Sequence, residues 1–327
     1  MRKFQRRAFG ALAGASLLAL GQGPAQAQAG YPSRPVRLVV PYPAGGATDV
    51  IARLIGERLS AKWGQPVVVE NRAGAGATVG AEMVARSEPD GYTLFETTSA
   101  HTISASLYRR LAYDPIRDFT AITLTATVPL VLVVSKSVPV TDLKGFIAWA
   151  KEQPRGVTVG STGNGTAQHL TAELFKGRTG IATEHVPYRG DAPLITDLLS
   201  GLVNCSFATL SAVLPYINSG ELKAIALAHP RRMEALRNVP TFAEAGMQDF
   251  EAATWFGTFA PAGLRPEMRE RIARDIGAIV AEPAMTQRVV EMGGEVNNLP
   301  PAEFDAFIKR ETARWAEAVR ISGAQVN

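Results

Sequence analysis

Short β-branched runs alternate along this chain with stretches whose apolar residues recur every four positions. The clearest unit is the apolar run ending at Val39-Val40, the loop Pro41-Tyr42-Pro43-Ala44-Gly45-Gly46, and the stretch that follows. There Val50 and Leu54, and beside them Ile51, Ile55 and Leu59, mark one buried helical face. Thr48 or Asp49 is the expected N-cap. The same reading predicts strands at Val36–Val40, Val67–Glu70, Thr93–Phe95, Ala121–Ala126, Val131–Val134, Val157–Gly160, Thr183–Val186, Cys205–Ala208, Ala224–Ala228 and Phe256–Ala260. Helices are predicted at Asp49–Lys62, Thr78–Ala85, Leu143–Glu152, Ala167–Lys176, Pro193–Ser200, Leu210–Ser219, Pro266–Ala281, Pro283–Met292 and Pro301–Arg320.

This alternation predicts an α/β fold whose mainly parallel sheets are covered by helices. About 300 residues exceed what one hydrophobic core usually supports, so two lobes are expected. Strand-rich crossings near Thr127–Pro129 and Ala252–Trp255 place 28–128 and 255–327 in one lobe and 129–254 in the other.

Residues 1–27 read as an export signal: Arg2, Lys3, Arg6 and Arg7, an apolar run from Ala11 to Leu20, and the small-residue site Ala25-Gln26-Ala27. Arg6-Arg7-Ala8-Phe9 is similar to a twin-arginine signal, while Gln5 and Gly10 depart from it, so either export route fits. About ten apolar residues are too few for a membrane span, which needs roughly 20. Of 34 basic and 30 acidic residues, the segment carries four basic and no acidic ones, so the remainder is neutral. That balance gives no basis for a nucleic-acid or membrane-surface partner. A soluble periplasmic protein is expected. Cys205 is the sole cysteine, which precludes an internal disulfide and reads as a small buried side chain in a strand.

The strand, small-residue loop, helix-start unit recurs. The second copy is Val159-Gly160-Ser161-Thr162-Gly163-Asn164-Gly165-Thr166, with Thr166 as N-cap. The third is Val186-Pro187-Tyr188-Arg189-Gly190-Asp191-Ala192-Pro193, where Asp191 can cap and Pro193 fits the first turn. A single such loop can use its glycines for backbone geometry alone. Three of them, at the carboxyl ends of strands, mark where open α/β sheets bind ligands, and helix N-termini favour anions.

Enzyme signatures are missing. Gly160-Ser161-Thr162-Gly163 lacks the G-x-S-x-G elbow, and Gly74-Ala75-Gly76-Ala77-Thr78-Val79-Gly80 has one residue too many for a dinucleotide fingerprint. Neither a cofactor nor a metal is expected, since no histidine pair has metal-ligand spacing. His101 reads equally as a cleft donor or a loop residue, His169 as mainly structural, and His185 and His229 have no neighbours that point to chemistry.

Taken in order, Tyr31-Pro32-Ser33-Arg34-Pro35, Pro41 to Asp49, Val69-Glu70-Asn71-Arg72-Ala73-Gly74-Ala75-Gly76, Pro89-Asp90-Gly91-Tyr92-Thr93-Leu94, Tyr113-Asp114-Pro115, Ser161 to Thr166, Val186 to Gly190, Pro240 to Gly246 and Trp255 resemble a known family. It is that of the extracytoplasmic solute receptors of tripartite tricarboxylate transporters, the Bug or TctC family. The resemblance implies a monomeric two-lobed receptor of the periplasmic-binding-protein fold, type II-like, which captures a small organic acid and delivers it to membrane transporter subunits. It also implies a carboxylate held by Tyr42, Ala44, Gly45, Gly46, Thr48, Asp49, Ser161, Gly163, Asn164, Gly165 and Thr166. The ligand's other end would border Ser99, His101, Tyr188, Asp191 and Ala192, with Trp255 as cleft wall or hinge. Asp191, Glu96 and Asn204 depart from the family pattern, and an acidic Asp191 disfavours a second carboxylate unless it caps its own helix. An amine, amide or aromatic far end, or a signalling role, therefore stays open, as do the less favoured hydrolase and oxidoreductase readings.

Overall fold

The structure is a computed structural model and describes residues 30–326. The 1–27 export segment lies outside the described residues.

The first part of the sheet is built on β1 (Val36–Val40), which pairs in parallel with β2 (Val67–Asn71) and β3 (Thr93–Thr98). All of β1 but Arg37 is buried, as expected of a parallel strand covered on both faces. Then β3 pairs antiparallel with β9 (Ala253–Pro261), and β9 with β4 (Phe119–Ser135). The second part reuses the far end of β4, flanked by β7 (Cys205–Thr209) and β8 (Leu222–Leu227). Beyond β7 lie β5 (Val157–Ser161) and β6 (Thr183–Pro187), joined in parallel. The sequence reading split β4 into two strands at Pro129; the structure has one. Pro129 stands opposite Ala253 where β4 changes partners, and the next N–H, of Leu130, reaches Ala252 O at 2.9 Å. A proline lacking its donor is tolerated at such a handover.

The helices that position the loops are α1 (Ala47–Trp63), α2 (Thr78–Ala85), α3 (Ala100–Leu107), α5 (Ala167–Thr179), α6 (Asp191–Ser200) and α10 (Pro301–Ser322). Between them in the chain lie α4 (Leu143–Lys151), α7 (Leu210–Asn218), α8 (Pro266–Val280) and α9 (Pro283–Glu291). Two elements escape the periodicity reading. Helix α3 is only eight residues long, too short to be stable by itself, and burial of Ile103 and Leu107 specifies it instead. Strand β10 (Glu295–Leu299) contains two asparagines and gains its pairing from β4.

Helix α10 straddles both parts. Phe304 and Ile308 pack with Val39, Phe95 and Trp255, whereas Trp315, Ala318 and Val319 pack with Ile103, Leu170 and Phe207. Between these groups, buried Glu311 accepts both the Trp255 and Trp315 indole N–H groups, at 3.1 and 2.9 Å. The chain therefore spans its two lobes three times, by β4, by β9 and by α10. No helix among the described residues is long and apolar enough to cross a membrane.

Candidate functional site

The first loop runs into α1 with Gly46 as N-cap, correcting the expectation of Thr48 or Asp49. Gly46 has no side chain to cap with, so the N–H groups of the first turn keep no intrahelical or side-chain partner. Pro43, Ala44, Gly45 and Gly46 are exposed, while Thr48 and Asp49 are buried. Asp49 faces its own loop. Its Oδ2 accepts from Gly45 N and Arg53 Nε, both at 2.9 Å, and its Oδ1 from Asn71 Nδ2 at 2.9 Å. Burial works to raise the Asp49 carboxyl, but the bonds from Arg53, Gly45 and Asn71 outweigh it and hold it below the usual range. Asn71 also donates to Tyr42 O at 3.0 Å, and the Tyr42 hydroxyl meets Thr98 Oγ1 at 2.5 Å. Burial pushes the Tyr42 phenol up to about 12, so at neutral pH it is a neutral hydrogen-bonding group.

The second loop leads into α5 with Thr166 as N-cap, as the sequence indicates. Its Oγ1 accepts from His169 N at 3.4 Å and donates to Gly163 O at 2.9 Å. Beneath the loop is a cluster that the sequence did not disclose. Fully buried Ser161 meets His185 Nε2 through its Oγ at 2.7 Å, and the His185 ring stacks on His169 at 3.9 Å and 12°. Gly165 N donates to His169 Nδ1 at 3.2 Å, which fixes that nitrogen as an acceptor. Burial pushes both imidazoles down to about 4. The platform under the loop is therefore uncharged near neutrality.

The third loop adjoins the second: Tyr188 N donates to Ser161 O at 2.9 Å, and a side-chain carbon added at Gly163 would stand 3.5 Å from Tyr188 O. Tyr188 Oη donates to Asp197 Oδ2 at 2.6 Å. Gly190 is the N-cap of α6, so Asp191 opens the helix and does not cap it, again correcting the expectation. Burial alone pushes the half-buried Asp191 carboxyl up to about 6. Ala192 is exposed and can offer only its backbone.

Two of the expected residues lie away from the loops. His101 is on α3 in an aromatic cage, its ring 4.5 Å from Phe119 and 4.9 Å from Phe259, and neither nitrogen has a hydrogen-bond partner. Burial pushes it down to about 4, so the cleft-donor reading gives way to a core histidine. Trp255 is buried opposite Thr127 and tied to Glu311, which makes it a crossing residue and not a cleft wall. Ser99, also buried, starts α3 as its N-cap. Glu96 is wholly buried, with Thr258 and Thr125 donating at 2.5 and 2.9 Å, and burial raises its carboxyl to about 7.

The loops that begin α1 and α5 thus present backbone donors, the first braced by a carboxylate turned into its own loop and the second by neutral imidazoles. Between the first two lies a left-handed turn at Ala75, Gly76 and Ala77, where Tyr108 Oη donates to Ala75 O at 2.9 Å. A Cβ at Gly76 would come within 3.7 Å of Asn164 O, so this turn meets the second loop. No group of three or more potential metal-ligating side chains occurs among the described residues.

The chain matches the model of the tripartite tricarboxylate transporter family receptor over residues 51–323. It is 37% identical over 298 residues to protein BugT of Bordetella pertussis, covering 90% of this chain and 91% of that one. Among solved structures, Rpa4515 of R. palustris, determined with adipate, is 36% identical with a TM-score of 0.85, over 90% of this chain and all of the other. MatC (Rpa3494) of Rhodopseudomonas palustris, with bound malate, is 29% identical with a TM-score of 0.81, over 88% of this chain and all of the other. A third, periplasmic binding protein BugD, has a TM-score of 0.82 at 32% identity, over 90% of this chain and 99% of that one. The matched model thus describes a transporter receptor, and BugD is a periplasmic binding protein. With its two-lobed α/β periplasmic-binding-protein fold, the chain belongs to the Bug/TctC family of tripartite tricarboxylate transporter receptors.

Proposed function

We propose that this protein is a periplasmic receptor that captures a small organic acid between its lobes and delivers it to the membrane subunits of a tripartite tricarboxylate-type transporter. One observation carries the reading: the first turn of α1, behind exposed Gly45 and Gly46, has no side-chain cap. Its N–H groups and the helix dipole suit a carboxylate without any cationic side chain. The relatives solved with adipate and malate support an acid as the ligand class.

In this reading, Tyr42, Ala44, Gly45, Gly46 and Thr48 form one side of the anion site. Ser161, Gly163, Asn164, Gly165 and Thr166 form the other, with Tyr188, Asp191 and Ala192 at the ligand's far end. Asp49, Ser161 and Thr166 brace the loops, and the anion is met by backbone. The lobes comprise 28–128 with 255–327, and 129–254, save that the Trp315–Val319 end of α10 packs across on the second. Export uses residues 1–27, and the working unit is a monomer.

Thermal unfolding of residues 28–327 against mono-, di- and tricarboxylates, amino acids and aromatic acids tests the proposal. A ligand at 100 times its dissociation constant stabilises the native state by about 2.7 kcal/mol. A shift with at least one acid is expected; none across the panel would overturn the acid-receptor reading.

A further inference from the structure

We infer that Gln168 is a specificity residue of the cleft: with Thr209 and Thr254 it forms a neutral polar floor that selects an acid bearing a hydroxyl on its carbon chain over the unsubstituted acid of equal length. The inference rests on the receptor reading above and extends it from the ligand's carboxylate to the atoms between its ends.

Sheet register places this floor between the lobes. Through β9, β3 runs parallel to β4, whereas β7 runs antiparallel to it, so the carboxyl ends of the two lobes' parallel strands point at one another along β4. Thr98, the last residue of β3, stands opposite Phe256, which pairs with Ala126 of β4. Thr209, the last residue of β7, stands opposite Leu130 of β4. From Ala126 to Leu130 is four residues, about 13 Å at the usual strand rise. Thr254 lies within that interval, opposite Val128. In the sheet, these strands fall between β1, which leads into the first loop, and β5, which leads into the second.

Gln168 is the second residue of α5, directly behind the Thr166 cap of the second loop. It is 6% exposed and reaches to β7, where its Nε2 donates to Thr209 Oγ1 at 3.0 Å. Thr209 Oγ1 in turn stands 3.5 Å from Thr254 Oγ1. Three buried side chains from α5, β7 and β9 thus join across the interval, the last of them on a strand that crosses between the lobes. One end of this chain is open. Gln168 Oε1 accepts no hydrogen bond among the described residues, and it is not sealed in as the partnerless hydroxyls of Thr97, Thr171 and Ser206 are.

A buried amide with a free acceptor, beside hydroxyls that can turn to donate or accept, suits a small neutral hydrogen-bonding partner. A ligand hydroxyl can donate to Oε1 and accept from a threonine. A methylene in the same place excludes water and leaves the amide oxygen unpaired, and a site built to bond a hydroxyl rejects the analogue lacking it for this reason.

The experiment is isothermal titration of residues 28–327 with matched pairs: succinate and each enantiomer of malate, glutarate and each enantiomer of 2-hydroxyglutarate, butanoate and each enantiomer of 3-hydroxybutanoate. In the best-fitting pair, one hydroxy acid should bind at least tenfold tighter than its parent. Gln168→Met, close in shape, should shrink that ratio at least fivefold by weakening the hydroxy acid and strengthening the parent. Thr209→Val, which removes the group that anchors the amide, should act in the same direction, and thermal melting confirms that both variants fold. Parent acids binding as tightly as their hydroxy partners, or a ratio unchanged in a folded variant of either kind, would overturn the inference while leaving the receptor reading intact. No binding of any of these acids, nor of the wider acid panel, would bring down the receptor reading and this inference with it.

Discussion

The first and second loops share one design, a strand that ends in small residues before a helix start, yet they are braced in opposite ways. The first is held by charge: a buried aspartate gathers Gly45, Arg53 and Asn71 around one carboxylate. The second rests on two stacked neutral imidazoles, with a serine beneath and a threonine cap. Asp49 in the first and Ser161 and Thr166 in the second, which look like ligand contacts in sequence, turn inward to the loop, while Asn164 stays exposed. Under the proposed function an anion at these two loops would meet mainly backbone N–H groups, which suit a carboxylate without a cationic side chain.

The loops also differ in room. A Cβ at Gly165 would overlap Leu107 Cδ2, and its φ of 76° is left-handed, whereas a Cβ at Gly46 meets only Pro43 O at 3.8 Å. Gly165→Ala should therefore be the most damaging change, costing about 2–4 kcal/mol through overpacking and backbone strain. Gly46→Ala should fold like wild type. Chemical denaturation of the two variants side by side checks this, and equal stabilities would contradict the packing contrast.

The brace contrast predicts the next effects. Asp49→Ala leaves the Gly45 and Asn71 donors without their acceptor and should cost about 2–3 kcal/mol, measured by urea unfolding. His169→Phe keeps the stacking shape but removes the acceptor for Gly165 N. It should cost about 1 kcal/mol of stability while lowering acid affinity through a loosened second loop. If His169→Phe proved the more destabilising of the two, the charged brace would not be the stronger one.

Buried titratable groups give an effect that accumulates with pH and has a definite sign. Glu96 has a folded pKa raised to about 7, so its contribution is present at acid pH and is lost as pH rises through that value. Relative to wild type, Glu96→Gln should gain stability between about pH 4.5 and 7, by up to about 1.4 kcal/mol per pH unit. The histidines work the other way. With folded values of about 4 for His101, His169 and His185, stability falls as pH drops from roughly 6.5 toward 4. A stability difference between Glu96→Gln and wild type that stays flat with pH would mean Glu96 is ionised in the fold.

The fold and the three loops were legible because they rest on local signals: four-residue apolar spacing, β-branched runs, and small residues before a helix start. Tertiary arrangements were not. His185 lies 24 positions from Ser161 and 16 from His169 in the chain, and only the parallel pairing of β5 with β6 brings it beneath the second loop. Residue type gave no warning that His101 would sit among Phe95, Phe119 and Phe259, because α3 itself is specified by burial. The cap positions at Gly46 and Gly190 were missed for a related reason. Thr48, Asp49 and Asp191 are good cap formers, but the chain uses glycines there and leaves the helix N–H groups uncapped.

The most direct test exploits that choice. Gly46 is extended, with φ −77° and ψ 168°, a conformation suited to an aspartate N-cap. In Gly46→Asp the new carboxylate would accept from the first turn of α1, raising the melting temperature while filling the anion site with a tethered anion. Titrating wild type and Gly46→Asp with the acid that most stabilises wild type should give saturable binding in the first and none in the second, with the variant folded. Wild-type affinity in a folded Gly46→Asp protein would contradict the account that the backbone of this loop holds the ligand's carboxylate.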